Sequence, residues 1–293
     1  MRTPFSFLAN ALSLENSAAP LVVGRVSLFG LWALIMALIH KSEHLADLNV
    51  SVAPYEVAGT VLGLLMVLRT NAGYERWWEG RKLWGSIVNA SRSLAVSAAS
   101  HGVDDPEWRS RVARRIAVFA HVSRRSLRGQ RVLPEVEELL GSAEAQSLID
   151  SEHMPTAASL ELARELRAGL PDFAFLQADT LRVLLLDNLG GCERISSCPL
   201  PLAYAIEVRR FILLFLLTLP FVLFDKVPKA QSVWAVPLLT LLVAYPFMAI
   251  DKIGHELQQP FLLHRLNHLT LDRFTSMIEQ NVLAILEPGK ARS

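Results

Sequence analysis

Arg69-Thr70-Asn71-Ala72-Gly73-Tyr74-Glu75-Arg76-Trp77-Trp78-Glu79-Gly80-Arg81-Lys82-Leu83-Trp84-Gly85 begins where the apolar run 57–68 stops, and it holds three of the chain's six tryptophans. An indole is amphipathic and an arginine stem can carry its charged head to water, so this mixture after an apolar run suits a membrane–water boundary. An aromatic belt is one reading of the stretch. The order of its residues supports a more specific one, taken up once the flanking segments are placed.

Four apolar stretches surround it. Residues 21–39 carry one charge, Arg25, near an end from which it can snorkel. Residues 52–68 carry only Glu56; 211–224 and 233–250 are uncharged. A spanning helix needs about 20 residues, or about 17 at the short end. The first and fourth meet that length. The second is marginal, and the third is short unless its helix starts upstream near Tyr204. A soluble helical core is the competing reading, but 211–224 is apolar on every face, which a core helix of a small soluble protein rarely needs. Pro220, Pro237 and Pro246 lie inside these runs and are tolerated in membrane helices where neighbours satisfy the released carbonyls.

Composition agrees. With 52% hydrophobic and 19% charged residues, the chain is apolar for 293 residues, and its net charge of +1 gives no nucleic-acid footprint. Cys192 and Cys198 make neither a disulfide framework nor a zinc pattern, and no cofactor motif is present. The first apolar run is longer than a signal-peptide core and ends at Ile39-His40-Lys41 without a small-residue cleavage site, so it is expected to stay as an anchor.

The segment 69–203 carries 17 Lys and Arg. Arg76, Arg81, Lys82, Arg209 and Arg210 lie close to the apolar runs, which places this segment and both termini in the cytoplasm of a multi-pass inner-membrane protein. The expected organisation is a cytosolic N-terminal segment (1–20), two membrane helices (21–70), a cytosolic helical domain (71–203), two more membrane helices (204–252) and a cytosolic C-terminal segment (253–293). Within the long segment, apolar periodicity predicts helices over 81–100, 108–127, 161–170 and 173–189, with breaks at Pro134 and Pro155. The expected fold class is all-α.

These residues resemble the bestrophins, in their prokaryotic-type branch. The resemblance rests first on the stretch from Arg69 to Arg81, with Asn71, Tyr74, Arg76, Trp77, Trp78 and Glu79, followed by Leu83-Trp84-Gly85, Ile87-Val88-Asn89 and Arg92. It continues through Gly191-Cys192-Glu193-Arg194-Ile195, Pro199-Leu200-Pro201, Ala203-Tyr204 and Leu219-Pro220-Phe221. It ends with Ile253-Gly254-His255-Glu256, Pro260-Phe261, Leu269 and Leu271-Asp272. Four motifs in order on a matching hydropathy pattern are specific.

The resemblance implies a homopentamer in a lipid bilayer, passing monovalent ions through one central pore. It implies that the second membrane helix lines an apolar neck at Thr60, Leu64 and Leu68, and that Leu200, between the two prolines, forms a lower cytosolic constriction. Spacing is compatible, because residues four apart share a helix face. Rings of Leu can gate by dewetting. Gly59 and Gly63 repeat the small-xxx-small spacing that lets helices approach closely. Without the resemblance, such leucines read as ordinary lipid-facing or packing residues.

The sequence also departs from the family. Thr60 is polar at the outer end of the neck, and Leu68 stands where Phe is common. The calcium-binding acidic run of animal members is missing: no carboxylate occurs between Glu256 and Asp272, and calcium wants six to eight oxygens. His255, His264 and His268 read as surface or interface residues rather than a metal site, since no Cys joins them. Glu193 and Arg194 read either as an ion pair holding a bend beside Leu200 or as two solvated charges on a turn. Asn49-Val50-Ser51 fits a glycosylation sequon.

Ion choice is less determined. Residues 69–203 hold 17 basic and 17 acidic groups, so the domain has no net sign. A neck of Leu and Thr has no fixed charge and favours ions that shed water easily, which tilts the expectation to chloride and other anions, with a monovalent cation channel of the same fold as the alternative. A secondary transporter would need ionisable groups or broken helices at the midplane, for which only the prolines leave room. Enzyme activity is not expected: His40 and His44 are four apart but lack a third ligand.

Overall fold

A computed structural model describes residues 9, 11–15, 17–42, 51–263 and 266–287. The described residues form helices and connections, with no strand. The helices are α1 (Ala19–Lys41), α2 (Ala53–His101), α3 (Pro106–Leu127), α4 (Pro134–Leu140), α5 (Ser142–Asp150), α6 (Met154–Gly169), α7 (Asp172–Ser197), α8 (Leu202–Phe224), α9 (Ser232–Leu257) and α10 (Leu271–Leu286).

The chain divides into two compact units. One holds α1, α2 up to Arg76, α8 and α9; the other holds α2 from Trp77, α3 to α7 and α10. The first unit is built on Val22, Val26, Phe29, Leu62, Met66, Ile212, Phe215, Leu216 and Ala244, all buried. α1 and α8 run parallel: Trp32 Nε1 donates to Leu217 O at 2.9 Å, and seven or eight residues on, His40 stacks on Phe224 at 4.4 Å between ring centres. Small residues allow close approach here. A Cβ on Gly73 of α2 would sit 2.9 Å from Gly254 O of α9.

By length and apolar content α1 and α9 can each cross a bilayer. In α2 the apolar run is closed by Glu56 and Arg69, and in α8 it starts only after Arg209 and Arg210. α8 does begin upstream, at Leu202, close to the expected Tyr204. Pro220, Pro237 and Pro246 all lie within helices.

The second unit is a helical bundle with Trp84, Ile87, Leu94, Trp108, Ile116, Phe119, Leu162, Leu185 and Ile278 in its core. α3 starts as its sequence dictates: Asp105 caps the helix by accepting from Glu107 N at 2.9 Å, Pro106 opens the first turn, and Arg124 and Arg125 close the last. The Trp108 indole lies where Gly102 and Gly169 have no side chain, and its Nε1 donates to Glu165 O at 2.9 Å.

The helix expected over 81–100, in a helical domain expected to be continuous with the preceding apolar helix, is the distal part of α2, which runs unbroken through 49 residues because nothing between Arg69 and Gly85 breaks a helix. Two expectations need correction. Pro134 and Pro155 do not simply interrupt: each sits in the first turn of a new helix, where proline lacks no needed donor. The helix expected to end at Leu189 continues to Ser197 through Gly190-Gly191, with Gly191 against Leu83, so Glu193 and Arg194 stand on a helix and not on a turn.

Candidate pore-lining face

Along the first unit's part of α2, every third or fourth residue is exposed. Thr60, Val61, Leu64, Val67, Leu68, Asn71 and Tyr74 lie on one side, while Leu62, Met66 and Arg69 are buried on the other. This is the 3.6-residue period of one helix with two environments. Leu64 is 60% exposed and Leu68 53%, although both are large and apolar, so more than half of each is left uncovered by its own chain. Thr60 and Val61 share the exposed arc, and the Thr60 hydroxyl donates back to Glu56 O at 2.8 Å. A Cβ on Gly63 would meet nothing within 4 Å.

The stripe is held by a buried charge cluster on the opposite side. Arg69 Nη1 donates to Asp251 Oδ1, and Arg209 Nε lies 3.2 Å from Asp251 Oδ2. One carboxylate of α9 therefore ties α2 to α8. Arg69 Nε and Nη2 are buried with no hydrogen-bond partner among the described residues. Sequence reading missed Asp251, although a signal was present: it is the first carboxylate after Asp225, directly following the apolar run 233–250 of its helix.

The other motif residues are placed as follows. Arg76 is half-buried. Trp77 is half-buried against the second unit's core, with its ring 6.4 Å from that of Trp78, and Trp78 is exposed. Trp84 is fully buried with its ring 6.4 Å from Phe274, so it belongs to a core and not to an aromatic belt. Glu79 accepts from Arg194 Nη2 at 2.7 Å. Glu193 does not pair with its neighbour: its Oε1 lies 2.9 Å from His153 Nε2, while His153 Nδ1 accepts from Thr156 N, which leaves the ring proton on Nε2 facing the carboxylate. Both charges are thus pinned, each by a different partner. Pro199 and Pro201 are exposed around half-buried Leu200, in the non-helical link between α7 and α8.

Cys192 and Asp272 are among the shifted titrating groups of the second unit. Burial, with Glu193 and Glu79 nearby, pushes the Cys192 thiol up to about 12. The Arg128 hydrogen bond, with the charges of Arg128 and Arg124, holds Asp272 at about 2 against the opposing effect of burial. Asp272, at the end of the segment that lacks the acidic run of animal members, is therefore committed to arginines. His44, Asn49 and His264 lie outside the described residues. Among the described residues no three of His, Cys, Asp or Glu converge as metal ligands.

Known proteins resemble this chain in sequence and fold. A family model described as bacterial/fungal bestrophin protein matches residues 2–284. The chain is 30% identical to a voltage-dependent anion channel-forming protein of Nostoc sp., over 95% of this chain and 92% of that one. It is 31% identical to a protein of the same description from Mesorhizobium japonicum, over 96% and 90%. Among solved structures, it matches a crystal structure described as that of a membrane protein with a TM-score of 0.82 and 25% identity, over 91% of this chain and 98% of that one. It also matches a bacterial bestrophin homologue from Klebsiella pneumoniae with a TM-score of 0.82 and 24% identity, over 91% and 98%.

Proposed function

The chain belongs to the bacterial and fungal bestrophin family, and we propose that it is a membrane channel for monovalent anions. In this reading α1, the first part of α2, α8 and α9 span the inner membrane, and both termini are cytoplasmic. Five copies surround one pore, with Thr60, Leu64 and Leu68 in the neck and Leu200 at a second constriction. The observation that carries the reading is the exposed apolar stripe on α2. A helix that buries Leu62 and Met66 against its own chain while leaving Leu64 and Leu68 bare has a second surface for other copies and for the pore. The names of the Nostoc and Mesorhizobium relatives favour anions over cations.

The test is a planar bilayer containing purified protein under a potassium chloride gradient. Reversal near the chloride equilibrium potential is the expected result. Reversal near the potassium potential would replace the anion reading with a cation channel. Intact oligomers without unitary current would bring forward the transporter reading.

A further inference from the structure

A cleft of about 460 Å³ opens in the first unit between α1, α8 and α9. Its volume lies within the range of about 300–1,000 Å³ typical of ligand sites. Arg25, Arg209 and Asp251 form one end, and Leu28, Trp32 and Leu217 are among its apolar walls. It lies away from the α2 stripe, and the proposed ion pathway makes no use of it.

The polar end is unbalanced in charge. Asp251 already faces buried Arg69, so Arg25 and Arg209 leave the end cationic. Arg25 is exposed and has no hydrogen-bond or ion-pair partner among the described residues. Arg209 gives only its Nε to Asp251, and its two Nη groups have no partner among those residues. A guanidinium presenting its outer donors beside a second arginine matches a phosphate oxygen pair.

The apolar end continues the match. Leu28 and Trp32 follow Arg25 along α1, and Leu217 follows Arg209 along the parallel helix α8. At 1.5 Å per residue the wall extends about 10 Å beyond the arginines. Each arginine is six or seven residues inside its helix, about 9–10 Å from the end, which is where a snorkelling side chain meets the headgroup layer. A free anion would leave this wall uncovered, whereas an amphiphile covers both ends.

We infer that this cleft binds an anionic phospholipid of the bilayer, with the phosphate on Arg25 and Arg209 and one acyl chain along Leu28, Trp32 and Leu217. The inference rests on the placement of α1 and α8 in the membrane made in the proposed function. Trp32 serves as the reporter. The full-length protein is reconstituted in nanodiscs with brominated phosphatidylglycerol or brominated phosphatidylcholine at low mole fraction. The Trp32 signal is isolated by subtracting the Trp32→Phe protein.

Phosphatidylglycerol is expected to quench Trp32 at a lower mole fraction than phosphatidylcholine. Arg25→Gln, at an exposed and unpaired position, is expected to cut that preference about fivefold, the worth of one basic residue beside an anionic surface. Equal quenching by the two lipids, or an unchanged preference in Arg25→Gln, overturns the site. Either outcome in a protein that still conducts chloride removes the lipid site and leaves the channel standing. A protein that neither conducts nor shows any quenching of Trp32 by either lipid removes the membrane placement as well.

Discussion

Arg69 and Asp251, 182 residues apart in sequence, form an ion pair in which neither side chain is more than 6% exposed. A charge so placed depends on its partner, because water cannot replace it. Asp251→Asn should destabilise the solubilised protein by about 3 kcal/mol, since it strands Arg69. Arg69→Met combined with Asp251→Leu should recover most of that loss. Thermal unfolding in detergent reads both, and a double variant no better than Asp251→Asn would show that the pair is not the source.

The neck can be tested without touching the fold. Leu64→Ser and Leu68→Ser change exposed side chains, so unfolding should move by no more than about 0.5 kcal/mol. Open probability in bilayers should rise, because a hydroxyl ring resists dewetting. Unchanged gating in both variants would remove these leucines from the pore.

Acid should loosen the second unit. Burial raises the Glu135 carboxyl, but hydrogen bonds from Arg125, its own backbone and Arg124 outweigh it, bringing it from 4.5 to about 2. Asp272 falls from 3.8 to about 2. Both groups bind protons more weakly when folded, so their stabilisation is complete above about pH 4.5 and is lost as pH falls toward 2. Amide exchange in α3 and α10 should accelerate across that window, and Arg125→Gln should move the onset to higher pH. An onset unmoved in Arg125→Gln would mean that other groups govern acid loss.

Two glycines of α2 should separate. Gly73→Ala places a Cβ 2.9 Å from Gly254 O, a backbone atom that cannot give way, and should cost about 1–3 kcal/mol. Gly63→Ala has open space in the chain and should keep or raise monomer stability by up to about 1 kcal/mol. Chemical denaturation of both variants in detergent checks the contrast; equal losses would contradict this packing of α2 on α9.

The cysteines should differ in reactivity. Cys192 is buried with its thiol pushed up to about 12, while Cys198 is exposed. The thiolate is the nucleophile, so maleimide near neutral pH should modify Cys198 alone. Peptide mass spectrometry reads the outcome, and rapid labelling of Cys192 would mean that α7 opens where it is closed here.

Local periodicity made most helices legible, because each amphipathic or wholly apolar run declares its own period. α4, α5 and α10 were not anticipated, and the side-chain partnerships that escaped depended on residues distant in sequence. Gly190-Gly191 looked like an interruption, yet the glycines stay helical where Gly191 meets Leu83, over a hundred residues earlier. Glu193 and Arg194 read either as one another's partner or as two solvated charges, but His153 and Glu79 hold them. The neck residues were placed by family likeness. The chain's own physics adds that Leu64 and Leu68 are bare while Leu62 and Met66 are not.

The hydroxyl of Thr60 is already directed to Glu56 O at 2.8 Å. In the proposed neck that ring offers lone pairs and methyl groups to whatever passes, but no proton. A halide is solvated by protons and gains nothing there to replace lost water. Such a ring ranks anions by how cheaply they dehydrate, so thiocyanate and iodide should run ahead of chloride. A side chain drawn as polar thus acts, toward an anion, as an extension of the leucines beneath it.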